Sequence, residues 1–256
     1  MTENVERWVD RNHFLIRRLH SLTGIVPVGV FLIEHLFTNS LTLLSAAKFN
    51  EHVHWLHRLP YLPVIELLFI FLPLAFHAGY GVVIARTGRS NVEQYPWLDN
   101  WRYTLQRVTG WIALGFILVH LAHFRFAHWF GGPTYVGAPD PFGLTQLGFN
   151  QVLPSGVWIA LYLVGLLSAV FHFCNGICTF CITWGITVGD RSRKRVSIGA
   201  AGLGMVLAAW GIASLIGLRM NFSPGEIEHR QVAERSHVRL DDAGTAAPGR
   251  TPDGGF

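Results

Sequence analysis

Five stretches of the chain, near residues 19–41, 62–85, 107–130, 156–188 and 197–219, are long, apolar and almost free of charge. About 20 mostly apolar residues let a helix cross the hydrocarbon of a bilayer, where the backbone must satisfy its own hydrogen bonds. The fold class expected is therefore all-α: an integral membrane bundle of five transmembrane helices over residues 1–220, followed by a polar C-terminal tail, 221–256. Composition agrees, since half of the 256 residues are hydrophobic and only 14% are charged. No stretch remains for a soluble catalytic domain, so any chemistry lies within the membrane or in a partner. The first window follows a polar start, MTENVERWVDRNHFLIRR, and far exceeds a signal-peptide core, which makes it a retained span.

Orientation is read from the basic residues, because cytoplasmic loops carry their excess. With the N-terminus inside and the C-terminus outside, twelve of the 20 Lys and Arg fall inside: four before the first helix, four between helices 2 and 3, and four between helices 4 and 5. The formal charge of +4 then reflects membrane anchoring, and no nucleic-acid patch or motif is visible. The outer loop 130–150 is rich in Gly and Pro and reads as irregular structure. The tail reads as a segment that packs on a neighbouring copy or a partner.

Of the 13 histidines, His13, His52, His54, His57, His128, His229 and His237 fall at helix ends or in loops. Four others sit deep in four successive spans: His35, His77, His120 and His172. A lone intramembrane imidazole can be a neutral group bonded across a bundle. Four of them, one per helix, point instead to function, because ionisable groups at that depth are costly. Their surroundings come in two kinds. TGIVPVGVFLIEH and TGWIALGFILVH both open on Thr-Gly and end on His, whereas FHAGYG and FHFCNG share F-H-x-x-x-G. Counting at about 1.5 Å per residue puts His35 and His120 in the outer half and His77 in the inner half. His172 joins His77 through their shared pattern.

Two imidazoles facing each other at each of two levels suit two stacked macrocycles, and without a C-x-x-C-H motif these would be haem b. Gly81 and Gly176 lie one turn from their histidines, and Gly29 and Gly115 could likewise admit the outer ring, although small residues also let helices pack closely. Arg17, Arg18, His20, Ser21 and Arg107 are candidates to meet the inner propionates. Cys174, Cys178 and Cys181 form one helical stripe with neither the count nor the wrap of a cluster site, and read as packing. Glu66, Glu51 and Glu34 are carboxylates able to relay protons to a small molecule near the outer haem.

RRLHSLTGIVPVGVFLIEH, FLPLAFHAGYG, LQRVTGWIALGFILVH and VFHFCNGICTFCITWGITV together resemble the five-helix, di-haem cytochrome b anchor of bacterial succinate dehydrogenase and fumarate reductase. The resemblance covers roughly residues 14–220. It implies iron ligation by His35 with His120 and by His77 with His172. It also implies docking of a flavoprotein with FAD and an iron–sulfur subunit on the cytoplasmic face, and electron exchange with a quinone, usually menaquinone. The complex could assemble further into a higher oligomer. The quinone site is expected either near Glu66 outside or near the iron–sulfur partner inside. Some fumarate reductase anchors carry a proton-conducting glutamate two residues before the helix 4 histidine; here that position is Val170. Two alternatives stand: the di-haem cytochrome b of a formate dehydrogenase or hydrogenase, and a His-lined ion transporter, which would need more polar residues at mid-membrane than helices 3 to 5 hold.

Overall fold

The computed structural model describes residues 2–149 and 153–220, with side chains from residue 12 onward. The expected packing of the 221–256 tail, and the side chains of Arg7 and Arg11 before the first span, lie outside what it describes. Every regular element among the described residues is helical: α1 (Thr2–Ile25), α2 (Pro27–Ser40), α3 (Ala46–His57), α4 (Leu62–Glu66), α5 (Leu72–Thr87), α6 (Leu98–His120), α7 (Pro141–Gly148), α8 (Ser155–Thr183) and α9 (Asp190–Met220), with short 3-10 and π turns between them. Five stretches are long and apolar enough to span a membrane: Asn12–Leu43, Leu62–Thr87, Leu98–Arg125, Ser155–Thr183 and Asp190–Met220. They coincide with the five apolar windows, but the first, third and fifth begin about two turns earlier than their apolar runs because polar residues lead into these helices.

Each irregularity has a local cause. Pro27 cannot donate to the helix ladder, so the first span divides into α1 and α2 at Val26. Pro73 would clash with the carbonyl of Phe69, and the ladder widens there into a π turn, Leu67–Phe71, closed by Leu72 N–H on the Leu67 carbonyl. A second π turn, Leu121–Arg125, follows His120 and is closed by Phe126 N–H on Leu121 at 2.8 Å.

The centre of the bundle is α8, which packs on α1, α6 and α9. Leu166, Val170, Phe173, Cys174 and Cys178 of α8 share a buried cluster with Leu36, Ala200 and Leu207. Cys174 lies against Gly204 of α9, with its sulfur 3.3 Å from where a Cβ would stand. By contrast α5 buries none of its residues and turns Leu72 and Val83 outward, as suits a helix whose solvent is lipid.

The outer loop differs from its expectation. Asp140 caps α7 by accepting from Gly143 N–H, and Pro141 begins the helix where its missing N–H costs nothing. Phe142 and Leu147 are buried. Asn50 clamps the segment, donating to Asp140 Oδ1 at 2.8 Å and accepting from Phe142 N–H at 2.8 Å. Gln146 reaches the Leu218 carbonyl at 3.0 Å. A segment whose composition suggests an irregular surface loop is thus a buried helical plug over the end of the bundle that carries His123 and Leu218, because tertiary contacts outweigh its Gly and Pro content.

Candidate functional site

The four deep histidines meet in two pairs. The ring centres of His77 and His172 are 6.1 Å apart with planes at 87°, and those of His35 and His120 are 5.7 Å apart at 74°. Counting along α6 from Gly110, which abuts His172, to His120 separates the two levels by about 15 Å; inner and outer name the His77 and His120 levels after the orientation expected from the basic residues.

At the inner level, both imidazoles are oriented by the main chain. His77 Nδ1 donates to the His20 carbonyl at 2.9 Å, and His172 Nδ1 donates to the Gln106 carbonyl at 2.9 Å. In each case the residue four positions on is glycine. A ring reaching a helix carbonyl from the side must cross the place where that residue's Cβ would stand. A Cβ at Gly24 would overlap the His77 ring, and one at Gly110 would lie 3.0 Å from His172 Cε1. Thr23, beside Gly24, donates to the same His20 carbonyl at 3.0 Å. The Thr-Gly pair is therefore a docking step for an imidazole on the neighbouring helix, and it occurs twice. Because a carbonyl can only accept, each Nδ1 carries the proton and each Nε2 keeps its lone pair.

Gln106 also holds His172 from its side chain, donating to the His172 carbonyl at 3.0 Å. It accepts from the buried Asn175 at 2.7 Å, and Asn175 in turn accepts from Arg102 at 2.8 Å. Nearby, His20 stacks on His77 at 4.1 Å. Ser21 donates to the Arg18 carbonyl and accepts from Trp184 at 3.1 Å, and Arg17 is exposed. Arg18 Nε, His20 Nδ1 and Arg107 Nε are buried without a hydrogen-bond partner.

At the outer level, side chains do the orienting. His120 Nδ1 lies 3.2 Å from the Tyr162 hydroxyl, which lies 2.8 Å from His123 Nδ1, and His123 Nε2 is 2.9 Å from the Gly148 carbonyl of α7. Asn39 donates to the His35 carbonyl at 2.7 Å and lies within 3.5 Å of its ring nitrogens.

Beside this level, the two π turns bring Arg125 onto Glu66 at 2.7 Å, with both side chains largely covered. His57 is near enough to feel that pair: burial lowers its pKa, Glu66 acts to raise it, and His54 and Arg125 lower it further. Glu34 accepts from Thr38 at 2.5 Å and is 3.5 Å from His52. Glu51 pairs with Lys48 at 3.0 Å on the exposed face of α3.

The glycines divide differently from the sequence expectation. A Cβ at Gly29 would run into Phe173, and one at Gly81 would lie 3.3 Å from His20. One at Gly176 would come no closer than 3.7 Å to Gln106, and one at Gly115 would meet nothing within 4 Å. The glycines held against the paired imidazoles, Gly24 against His77 and Gly110 against His172, are those of the Thr-Gly pairs, to which the sequence pattern alone assigns no role. Gln106, Asn175, Tyr162 and His123 carry no local mark in the sequence that would assign them to the site.

The residues fit a bis-imidazole macrocycle. A metal atom bonded at about 2 Å to a nitrogen on either side holds two imidazole centres roughly 6 Å apart. The buried, unpartnered Arg18, His20 and Arg107 nitrogens are donors suited to carboxylates at the inner edge of such a ring.

A model of the succinate dehydrogenase/fumarate reductase transmembrane subunit family matches residues 88–213. The chain is also similar to the succinate dehydrogenase cytochrome b558 subunit of Bacillus subtilis (strain 168), with 43% identity over 181 residues, covering 71% of this chain and 85% of that protein.

Proposed function

Because the chain belongs to the succinate dehydrogenase/fumarate reductase transmembrane subunit family, we propose that it anchors a succinate:quinone oxidoreductase in a bacterial cell membrane and passes electrons between an iron–sulfur partner and a quinone through two b haems. The observation that carries this reading is the two imidazole pairs, 6.1 and 5.7 Å across, at two levels of one bundle. When bound, the haem irons would supply one-electron transfer, and His77 with His172, and His35 with His120, would hold them. Both inner histidines offer a neutral Nε2, because main-chain carbonyls take their Nδ1 protons. Arg18, Arg107 and His20, with Arg17 and Ser21 at the same end, would receive the inner propionates.

The basic residues between helices 2 and 3 and between helices 4 and 5 favour an N-terminus inside and a C-terminus outside. In that orientation the inner haem would lie beside the iron–sulfur subunit and its FAD-bearing companion. The quinone, of the menaquinone type, binds at the outer end. There the Glu66 carboxylate, held by Arg125, exchanges the protons that accompany electron transfer. Glu51 stands at the solvent side of that route.

A reduced-minus-oxidised optical spectrum and haem quantitation of the purified complex test the reading. Two b haems per chain, co-purifying with a flavin-bearing subunit, are expected. A spectrum without a b-type α band overturns it.

A further inference from the structure

We propose that Tyr162 and His123 are positioning residues for His120: a proton-ordered chain, anchored on the α7 plug, that fixes the tautomer of the outer ligand and sets how strongly it donates to iron. The inference rests on the haem reading above and goes beyond it.

The order of protons follows from the acceptor at the end of the chain. The Gly148 carbonyl has no proton, so His123 Nε2, 2.9 Å away, must donate to it. A neutral His123, as its depth requires, then offers a bare Nδ1. The Tyr162 hydroxyl at 2.8 Å fills that acceptor by donating. Its oxygen lone pair is left for His120 Nδ1 at 3.2 Å, so His120 donates there and keeps Nε2 free. Among neutral groups this is the arrangement that satisfies every contact.

The chain is held rigidly. Tyr162 is 8% exposed, and His123 stacks on Trp158 with ring centres 4.0 Å apart at 8°. At the anchor, a Cβ on Gly148 would lie 2.8 Å from the Tyr135 hydroxyl and 3.3 Å from His123 Nε2, so only glycine brings this carbonyl so close. The plug that composition presents as a loop thus supplies the fixed acceptor from which the tautomer of an iron ligand is propagated.

An axial imidazole that donates its Nδ1 proton is more basic toward the metal and favours the oxidised iron. Redox titration of the purified complex tests this, with the outer haem assigned as the one lost in His35→Ala. In Tyr162→Phe the midpoint potential of the outer haem should rise while that of the inner haem stays put. His123→Phe keeps the stacking on Trp158 but removes the acceptor for the tyrosine hydroxyl, and should move the same haem in the same direction by less. If Tyr162→Phe loses the outer haem altogether, His123→Phe decides. Unchanged potentials, or a shift confined to the inner haem, overturn the proposal. Fewer than two b haems in the unaltered complex would instead overturn the functional reading beneath it.

Discussion

The inner and outer histidine pairs are built by different means. At the inner level the two Nδ1 bonds end on main-chain carbonyls, those of His20 and Gln106, reached across Gly24 and Gly110. At the outer level His120 is backed by the side chains of Tyr162 and His123 and His35 has Asn39 beside it. A carbonyl already fixed in a helix cannot be substituted, so the inner geometry is secured by what is missing, a Cβ. The outer geometry ends on the Gly148 carbonyl but reaches His120 through side chains, and each of those side chains can be altered. The inner level should therefore respond to added volume and the outer to removed polar groups.

The strongest way to break the comparison is to remove the ligands. Either His77→Ala or His172→Ala should halve the haem content by abolishing the inner haem, and His35→Ala or His120→Ala should abolish the outer. The haem that remains should keep the strongly anisotropic low-spin EPR signal expected of imidazole planes crossing at 87° or 74°. Loss of both haems from any single substitution would mean that the levels are not independent.

Next in size is an effect reserved for the outer end. Glu66→Gln keeps shape but removes the charge that faces Arg125 at 2.7 Å. Removing a general acid costs on the order of 100-fold or more in rate. Quinone reduction should fall by that amount while succinate oxidation with an artificial dye acceptor persists. An unchanged quinone rate would move the quinone site to the inner end.

Smaller again is the effect of volume. Gly24→Ala should disturb His77 and cost about 1–3 kcal/mol of stability, the usual range for overpacking, read as a lower Tm of the detergent-purified protein with a perturbed inner haem spectrum. Gly110→Ala, where the added methyl meets His172 Cε1 at 3.0 Å, should cost less, and Gly115→Ala, with nothing within 4 Å, little. Equal losses at Gly24 and Gly115 would remove the distinction between the two levels.

The same contrast explains what could be read from the chain. Spans follow from runs of apolar residues, and the levels of His35, His77 and His120 follow from counting helix rise, both properties of a single helix. The partners of those histidines depend on how helices turn toward one another. Gln106 opposite His172 and Tyr162 opposite His120 carry no local mark. Thr23-Gly24 and Thr109-Gly110 were visible as a repeated pattern, yet their purpose needs the neighbouring imidazole to be seen. The α7 helix had a readable start in Asp140-Pro141, a capping residue followed by proline at the first helical position, but the surrounding glycines and prolines outweighed it. Burial against α3, α9 and the Leu121–Arg125 turn gives that segment its structure.

The smallest expected effect is on pH dependence and is confined to the outer surface. His57 lies between the first two spans, where it accepts from Gly137 N–H at 3.5 Å and has a pKa below the ordinary histidine value, chiefly through burial. Protons then bind the unfolded chain more readily than the folded one. The stability contributed by neutral His57 is complete above the unfolded pKa of about 6.5 and is lost as pH falls through the folded value. Glu66 opposes this shift while His54 and Arg125 reinforce it, so the net loss is modest. His57→Gln should remove that component, leaving Tm less sensitive between pH 8 and 5.5 than in the unaltered protein. Substitution at the inner end, for instance Arg102→Gln, should leave the slope alone. If the slope followed Arg102 instead, acid sensitivity would belong to the inner network of Arg102, Asn175 and Gln106, and the outer end would lose its distinction as the end whose polar side chains respond to solvent.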